Sequence, residues 1–210
     1  MTASPLVQSL MEHPDYLVPI RVEQYQHMLE TGILPEGAPL ELIDGVLVRK
    51  DRRDGEGGIM TVGERHRLVV DRLMELLVSL CRGHGCRVSI QQPVRLSQVD
   101  MPEPDLSVLL GPIKTARQEH PLPQDLVLVI EVAHSSLAFD QNTKLAKYAA
   151  AGISEVWIVN LVDDVIEVYR EPASEDGKYA IQDKHQSGDV CSLTLPDGTM
   201  VEIAVNEILS

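Results

Sequence analysis

The apolar positions of this chain change period several times, and each change predicts an element. From Gly63 to Arg82, residues Leu68, Val69, Leu73, Leu76, Leu77 and Leu80 recur at helical spacing. That spacing predicts a long amphipathic helix ending near Gly83 or Gly85. Upstream, VEQYQHMLETG (22–32) predicts a short helix closed by Gly32. LELIDGVLVRK (40–50) predicts two short strands about a turn at Asp44–Gly45, a strong hairpin signal. Strands then dominate: CRVSIQQPVRL (86–96), DLSVLL (105–110) and LVLVIEVA (126–133), separated by loops that carry proline or glycine. FDQNTKLAKYAAAGI (139–153) predicts a helix with Asp140 as N-cap and Gly152 as its stop. SEVWIVN (154–160) and VIEVYR (165–170) predict a strand pair across Asp163–Asp164. KYAIQ (178–182) and VEIAV (201–205) predict small outer strands. The charged, glycine-rich DRRDGEGG (51–58) predicts a mobile loop. Residues 1–20 lack a pattern and predict an arm, leaving 21–210 as one α/β (α+β) domain with a mixed β-sheet flanked by helices.

Composition narrows this picture. A chain of 210 residues suits one domain, and with one Phe, one Trp and five Tyr its core must rest on Leu, Val, Ile and Ala. No apolar run reaches the ~18 residues of a membrane span, and the N-terminus lacks the pattern of a signal peptide. Three cysteines are an odd, sparse set, which favours reduced thiols and a cytoplasmic location over a disulfide framework. The net charge of −14 argues against a generic nucleic-acid binder. The charge is uneven, however: residues 46–95 hold ten Lys and Arg against six acids. That segment reads either as a solvated basic helix face or as a phosphate-binding stripe.

Two acids on the central strands stand out. Asp105 opens DLSVLL after MPEP, and Glu131 interrupts the apolar LVLVIEVA. An ionised side chain in a strand buried on both faces is costly unless it is paired or bound to a metal. Alternation places Glu131 with Val127, Val129 and Ala133, and Leu128, Ile130 and Val132 on the other face. If the two strands are neighbours, both carboxylates can enter one cleft, and a hard divalent cation would remove their repulsion. On the following helix Lys144 borders the apolar stripe of Leu145, Tyr148 and Ala149, whereas Lys147 turns further towards solvent. Lys144 is therefore placed to reach Glu131, where an ammonium could orient water and stabilise a pentacovalent phosphate.

The run EPDLSVL…LVLVIEVAHSSLAFDQNTKLAKYAAAGISEVWIVN resembles the bacterial restriction-endonuclease-like family of the PD-(D/E)XK nuclease superfamily. LELIDGVLV and ERHRLVVDRL extend the resemblance to roughly residues 20–170. It implies a restriction-endonuclease-like fold and a metal-dependent endonuclease that hydrolyses phosphodiester bonds of DNA with Mg²⁺ or Mn²⁺. Pro104–Asp105 matches the PD motif and implies Asp105 as a metal ligand. Glu131 takes the (D/E) position, with the Val132 carbonyl a third ligand. The superfamily lysine, two residues on, is Ala133 here, and the resemblance implies Lys144 in its place. Asp105, Glu131 and Lys144 are then the catalytic set, with Glu41 and His66 auxiliary. Asn160 stands where the family often has Asp and reads as a structural turn position.

Each assignment has a plainer alternative. Asp105 can cap a strand, Glu131 and Lys144 can form a structural ion pair, Lys144 can be solvated, Glu41 can be a surface acid, and His66 can be structural. CRGHGC (81–86) fits no common zinc spacing, and Ser135–Ser136 lacks a nucleophile-elbow context. The competing function is a non-catalytic binding or assembly module that retains the nuclease fold. A homodimer or higher homo-oligomer is expected under either reading, and no membrane association.

Overall fold

A computed structural model describes residues 9–10, 12–35, 37–50, 63–112 and 120–210. The 51–58 loop expectation lies outside the described residues. Helix α1 (Val22–Glu30) leads into an antiparallel hairpin of β1 (Leu40–Ile43) and β2 (Val46–Arg49). The predicted Asp44–Gly45 turn closes it, with φ of 52° and 70°. A Cβ on Gly45 would lie 2.3 Å from that of Pro19, so both the left-handed backbone and the close packing require glycine.

Helix α2 (Glu64–Cys81) follows, and then β3 (Cys86–Ile90), β4 (Leu106–Leu110) and β5 (Leu126–Ala133). The next helical segment, α3, runs as Leu137–Phe139, a π-helical turn Asp140–Lys144, and Leu145–Ala150. Strands β6 (Glu155–Asn160), β7 (Val165–Ala173) and β8 (Lys178–His185) complete a six-stranded sheet in the order β3-β4-β5-β6-β7-β8. Its pairs are antiparallel except β5 with β6, the pair that α3 connects. A parallel pair needs such a crossover, so α3 must return over the sheet next to the end of β5. A separate hairpin of β9 (Val190–Thr194) and β10 (Met200–Ala204), then α4 (Val205–Leu209), end the chain.

The sheet is covered on both faces. Val69, Val70, Leu73 and Leu77 of α2, Ile203 of β10 and Ile208 of α4 pack on Leu106, Leu128, Ile130, Val132 and Trp157. On the other face Tyr148 of α3 packs with Val129, Ala133, Ile153, Val156 and Ile158. A smaller core of Val22, Tyr25, Leu42 and Met101 ties α1 to the first hairpin.

Four sequence expectations need correction. Leu68 is exposed and Val70 takes its place on the buried stripe of α2. The strand expected over 86–96 stops at Ile90, because Gln91 turns to a φ of 46°. A bulge shifts the β4–β5 register between Val108 and Leu109. It sends Val127 to the α2 face while Val129 and Ala133 stay with α3. Asp140 is no N-cap: the helix starts three residues earlier, Ser136 stands at the N-cap position without a side-chain capping bond, and Asp140 is buried in the π-helical turn.

Candidate functional site

The site forms where β4 begins and β5 ends. Leu106 faces Ile130 in the antiparallel register, so Asp105, one residue before β4, lies beside the next residues of β5, Glu131 and Val132. Its Oδ2 accepts the Val132 N–H at 2.9 Å. The N–H and C=O of one strand residue point the same way, so the Val132 carbonyl also opens on the Asp105 side, past the last β4 partner. Oδ2 further contacts His66 Nε2 at 3.2 Å, from the first turn of α2. Burial opposes ionisation of Asp105, but the His66 contact, the Val132 N–H and Lys144 together hold its carboxyl below the usual range.

Glu131 is buried on the α3 face. Lys144 Nζ donates to its Oε1 at 2.9 Å, and Tyr148 Oη donates to the same oxygen at 2.6 Å. Lys144 also pairs with Glu41 Oε2 at 3.1 Å, and that oxygen accepts the Glu103 N–H at 3.2 Å. Glu41 is therefore no surface acid: it is buried at the start of the first hairpin and faces the central sheet. Burial pushes the Glu131 carboxyl up to about 8; Lys144 opposes this, while Asp140, Asp105 and Glu41 add to it. Burial also works against the Lys144 charge, but Glu131, Glu41 and Asp140 outweigh it and hold the ammonium charged well above its ordinary range. Lys147, expected nearer solvent, pairs with Asp44 of the first hairpin and lies 3.7 Å from Asp100.

All five expected side chains and Val132 line one cavity of about 790 Å³, together with Asp140, Ser135 and Ser136. The structure thus joins residues from the first hairpin, α2, β4, β5 and α3. Among the described residues the cationic segment does not form one stripe. Lys50 and Arg65 line the cavity and pair with Glu103 and Asp164, whereas Arg82 and Arg87 border a groove at the far end of α2. Arg52 and Arg53 lie outside the described residues. Asn160 behaves as a turn residue: its Oδ1 accepts the N–H groups of Val162 and Asp163, each at 3.0 Å.

The donor set fits a hard cation. Asp105, Glu131 and the Val132 carbonyl offer oxygens only, and Mg²⁺ is commonly held by one or two carboxylates with water and phosphate filling the rest. Burial raises the Glu131 carboxyl, and the nearby Asp140, Asp105 and Glu41 add to that rise against the pull of Lys144. Among the described residues no three His, Cys, Asp or Glu side chains form a metal-holding group by themselves.

Sequence reasoning missed two participants: Asp140 lines the cavity and Tyr148 holds Glu131. Outside the cavity, Glu167 of β7 is another buried acid on the same sheet face. A signal for Glu167 existed: like Glu131, it interrupts an apolar strand, VIEVYR.

A family model described as "Putative restriction endonuclease" (Uma2) matches residues 22–205. The crystal structure of a "putative nuclease belonging to DUF820" from Anabaena variabilis ATCC 29413 is similar, with a TM-score of 0.64. The two are 15% identical in sequence, and the match covers 91% of this chain and 98% of that one. At that identity the likeness shows a shared fold. No curated protein matches the chain. Because the family model spans most of the sequence, from α1 to the start of α4, and takes in every element that builds the cavity, the chain belongs to the Uma2 family of restriction-endonuclease-like proteins.

Proposed function

We propose that the protein is a metal-dependent endonuclease that hydrolyses phosphodiester bonds of DNA. The observation that carries this reading is the convergence of Asp105, Glu131 and Lys144 on one cavity from three separate elements. Asp105, Glu131 and the Val132 carbonyl would hold Mg²⁺ or Mn²⁺. When bound, the ion would supply Lewis-acid polarisation of a phosphoryl oxygen and a more acidic water. Lys144 places a charged ammonium beside Glu131, where it can orient water and offset charge on the phosphate. His66 steadies Asp105, and Glu41 shares the Lys144 charge, so both act through their neighbours. Ala133, at the usual lysine position, is fully buried against the α3 face, and the helix delivers the ammonium instead. Residues 21–210 act as one domain behind an N-terminal arm. We read the protein as cytoplasmic, which its three free cysteines favour, and as a homodimer or higher homo-oligomer, by analogy with nucleases that cut both strands.

The test is cleavage of plasmid and oligonucleotide DNA with Mn²⁺. The parent should nick or cut; Asp105→Ala and Glu131→Ala should not. Absence of any cleavage sensitive to these substitutions would sink the proposal. One observation favours a second reading, a binding or assembly module that keeps the fold. The described cations that line the cavity already pair with protein carboxylates: Lys50 with Glu103, Arg65 with Asp164, and Lys144 with Glu131 and Glu41. Calorimetry with Mn²⁺ separates the two. Metal binding lost in both alanine variants supports the nuclease, and its absence in the parent supports the module.

A further inference from the structure

Glu131 has two carboxylate oxygens, and the structure treats them differently. Lys144 Nζ and Tyr148 Oη both donate to Oε1, at 2.9 and 2.6 Å. Both donors seen on Glu131 among the described residues go to Oε1, and Glu131 lines the cavity. Fixing one oxygen with two donors fixes the carboxylate plane, and therefore the direction in which the other oxygen faces. The two donors are unequal in how well they can do this. The Lys144 ammonium ends a flexible stem and divides its protons between Glu131 and Glu41. Tyr148 is a rigid ring, fully buried among Val129, Ala133, Ile153, Val156 and Ile158, with one proton to give. It lies four residues after Lys144, so both reach down from one face of α3. Tyr148 is not among the residues that line the cavity.

From this geometry we propose that Tyr148 is a positioning residue. Its hydroxyl pins Glu131 Oε1 so that Oε2 is presented to the cavity as the ligating oxygen. The inference rests on the metal-site reading above and deepens it. It gives the buried hydroxyl a task beyond satisfying its own hydrogen bond. A packing role alone would be served by the ring without the oxygen.

The test uses the full chain with Tyr148→Phe, which keeps the ring and removes the hydroxyl. Ile153→Val serves as the packing control, because Ile153 shares the core cluster of Tyr148 and contributes only apolar contacts from its side chain. Titration calorimetry with Mn²⁺ alone should show affinity about 10–100-fold weaker in Tyr148→Phe, the usual effect of losing a partner behind a metal ligand. Ile153→Val should lower the melting temperature and leave the Mn²⁺ affinity unchanged. With DNA and Mn²⁺, Tyr148→Phe should lower kcat and leave KM alone, because the hydroxyl does not face the cavity. Affinity within twofold of the parent in a cooperatively melting Tyr148→Phe, with binding lost in Asp105→Ala, overturns the positioning role and leaves the metal site standing. An equal loss of affinity in Ile153→Val overturns it as well, since packing would then suffice. A parent that binds no Mn²⁺ overturns both the site and this inference.

Discussion

The tripeptide Ile-Glu-Val occurs twice in this chain, at 130–132 and at 166–168. Both glutamates are buried, and both stand beside Ile158 in one row across the sheet, Glu131 on one side and Glu167 on the other. Both are met by the π-helical turn of α3, through Lys144 and Gln141 respectively. Their surroundings differ. Glu167 accepts from Gln141 at 3.0 Å on both oxygens, from Tyr169 at 2.7 Å and from Asn160 at 3.2 Å, and it pairs with Lys184 at 3.1 Å. Burial opposes its charge, but these donors win and its carboxyl falls below the usual range. Glu131 has two donors on one oxygen; burial first, and then Asp140, Asp105 and Glu41, raise its carboxyl to about 8 against the pull of Lys144. An acid inside an apolar strand is therefore not in itself the mark of a site. Glu167 is saturated and fastens α3 to the sheet. Glu131 is left short of positive charge and faces a cavity.

This contrast can be broken or sharpened by substitution. The largest effect should be on chemistry. Glu131→Gln should cut Mn²⁺-dependent DNA cleavage by roughly 10³-fold or more, about 4 kcal/mol of barrier. Glu167→Gln should leave the rate within about tenfold, a change of about 1.4 kcal/mol. Equal losses would erase the distinction. Next in size is Lys144→Met, which leaves Glu131 and Glu41 buried beside each other without their cation. Removing one partner of a buried pair costs about 3–5 kcal/mol, and denaturant unfolding should show it. Adding Glu131→Gln should recover part of that loss, and no recovery would mean that the two residues are not energetically linked.

A smaller effect is expected for Glu167→Gln on stability. It forfeits charge-assisted bonds to Tyr169, Gln141 and Lys184, on the order of 2 kcal/mol, or roughly 4–8 °C in Tm for a chain of this size. The smallest and most diagnostic effect is a pair of opposite pH slopes. Glu131 has a folded carboxyl raised from 4.5 to about 8. Its stabilising contribution is therefore complete below pH ~4.5 and declines as pH rises towards 8. Glu167 has a depressed carboxyl, so its contribution is present above about 4.5 and is lost as pH falls through its folded value. The stability difference between parent and Glu131→Gln should thus shrink between pH 5 and 8. That between parent and Glu167→Gln should shrink only in acid. Slopes of the same sign in thermal melts across pH would show that the two environments are alike.

Much of the fold was legible because it depends on near neighbours. The 126–133 strand and the Asp44–Gly45 hairpin follow from side-chain period and turn chemistry within a few residues, and so does the helix stop at Gly152, whose φ is 75°. The start of the α2 stripe follows from helix geometry: at ~100° per residue Leu68 lies roughly 140° round the helix from Leu73 and is exposed, whereas Val70 lies only about 60° from it and is buried. Asp140 was misplaced because an Asp before an apolar stripe has the pattern of a cap. Whether the helix begins there or earlier depends on how α3 crosses from β5 to β6. Glu167 carried the same local anomaly as Glu131, and nothing within its strand told the two apart.

What the sequence alone determined is the inventory: the order of elements, the two carboxylates at the mouth of the central strands, and the absence of the usual lysine at Ala133. Which of these residues meet is set by the packing of distant elements. Glu41 reaches Lys144 across a wide gap in the chain because Leu42 of the first hairpin bridges Met101 just before β4, and His66 reaches Asp105 because α2 packs on β4 and β5, while the parallel β5–β6 pair brings α3 over the sheet. The electrostatic character of each acid follows from those meetings, since a buried charge is set by the donors and charges within a few ångströms of it. For the two Ile-Glu-Val strands those neighbours come from other elements of the fold.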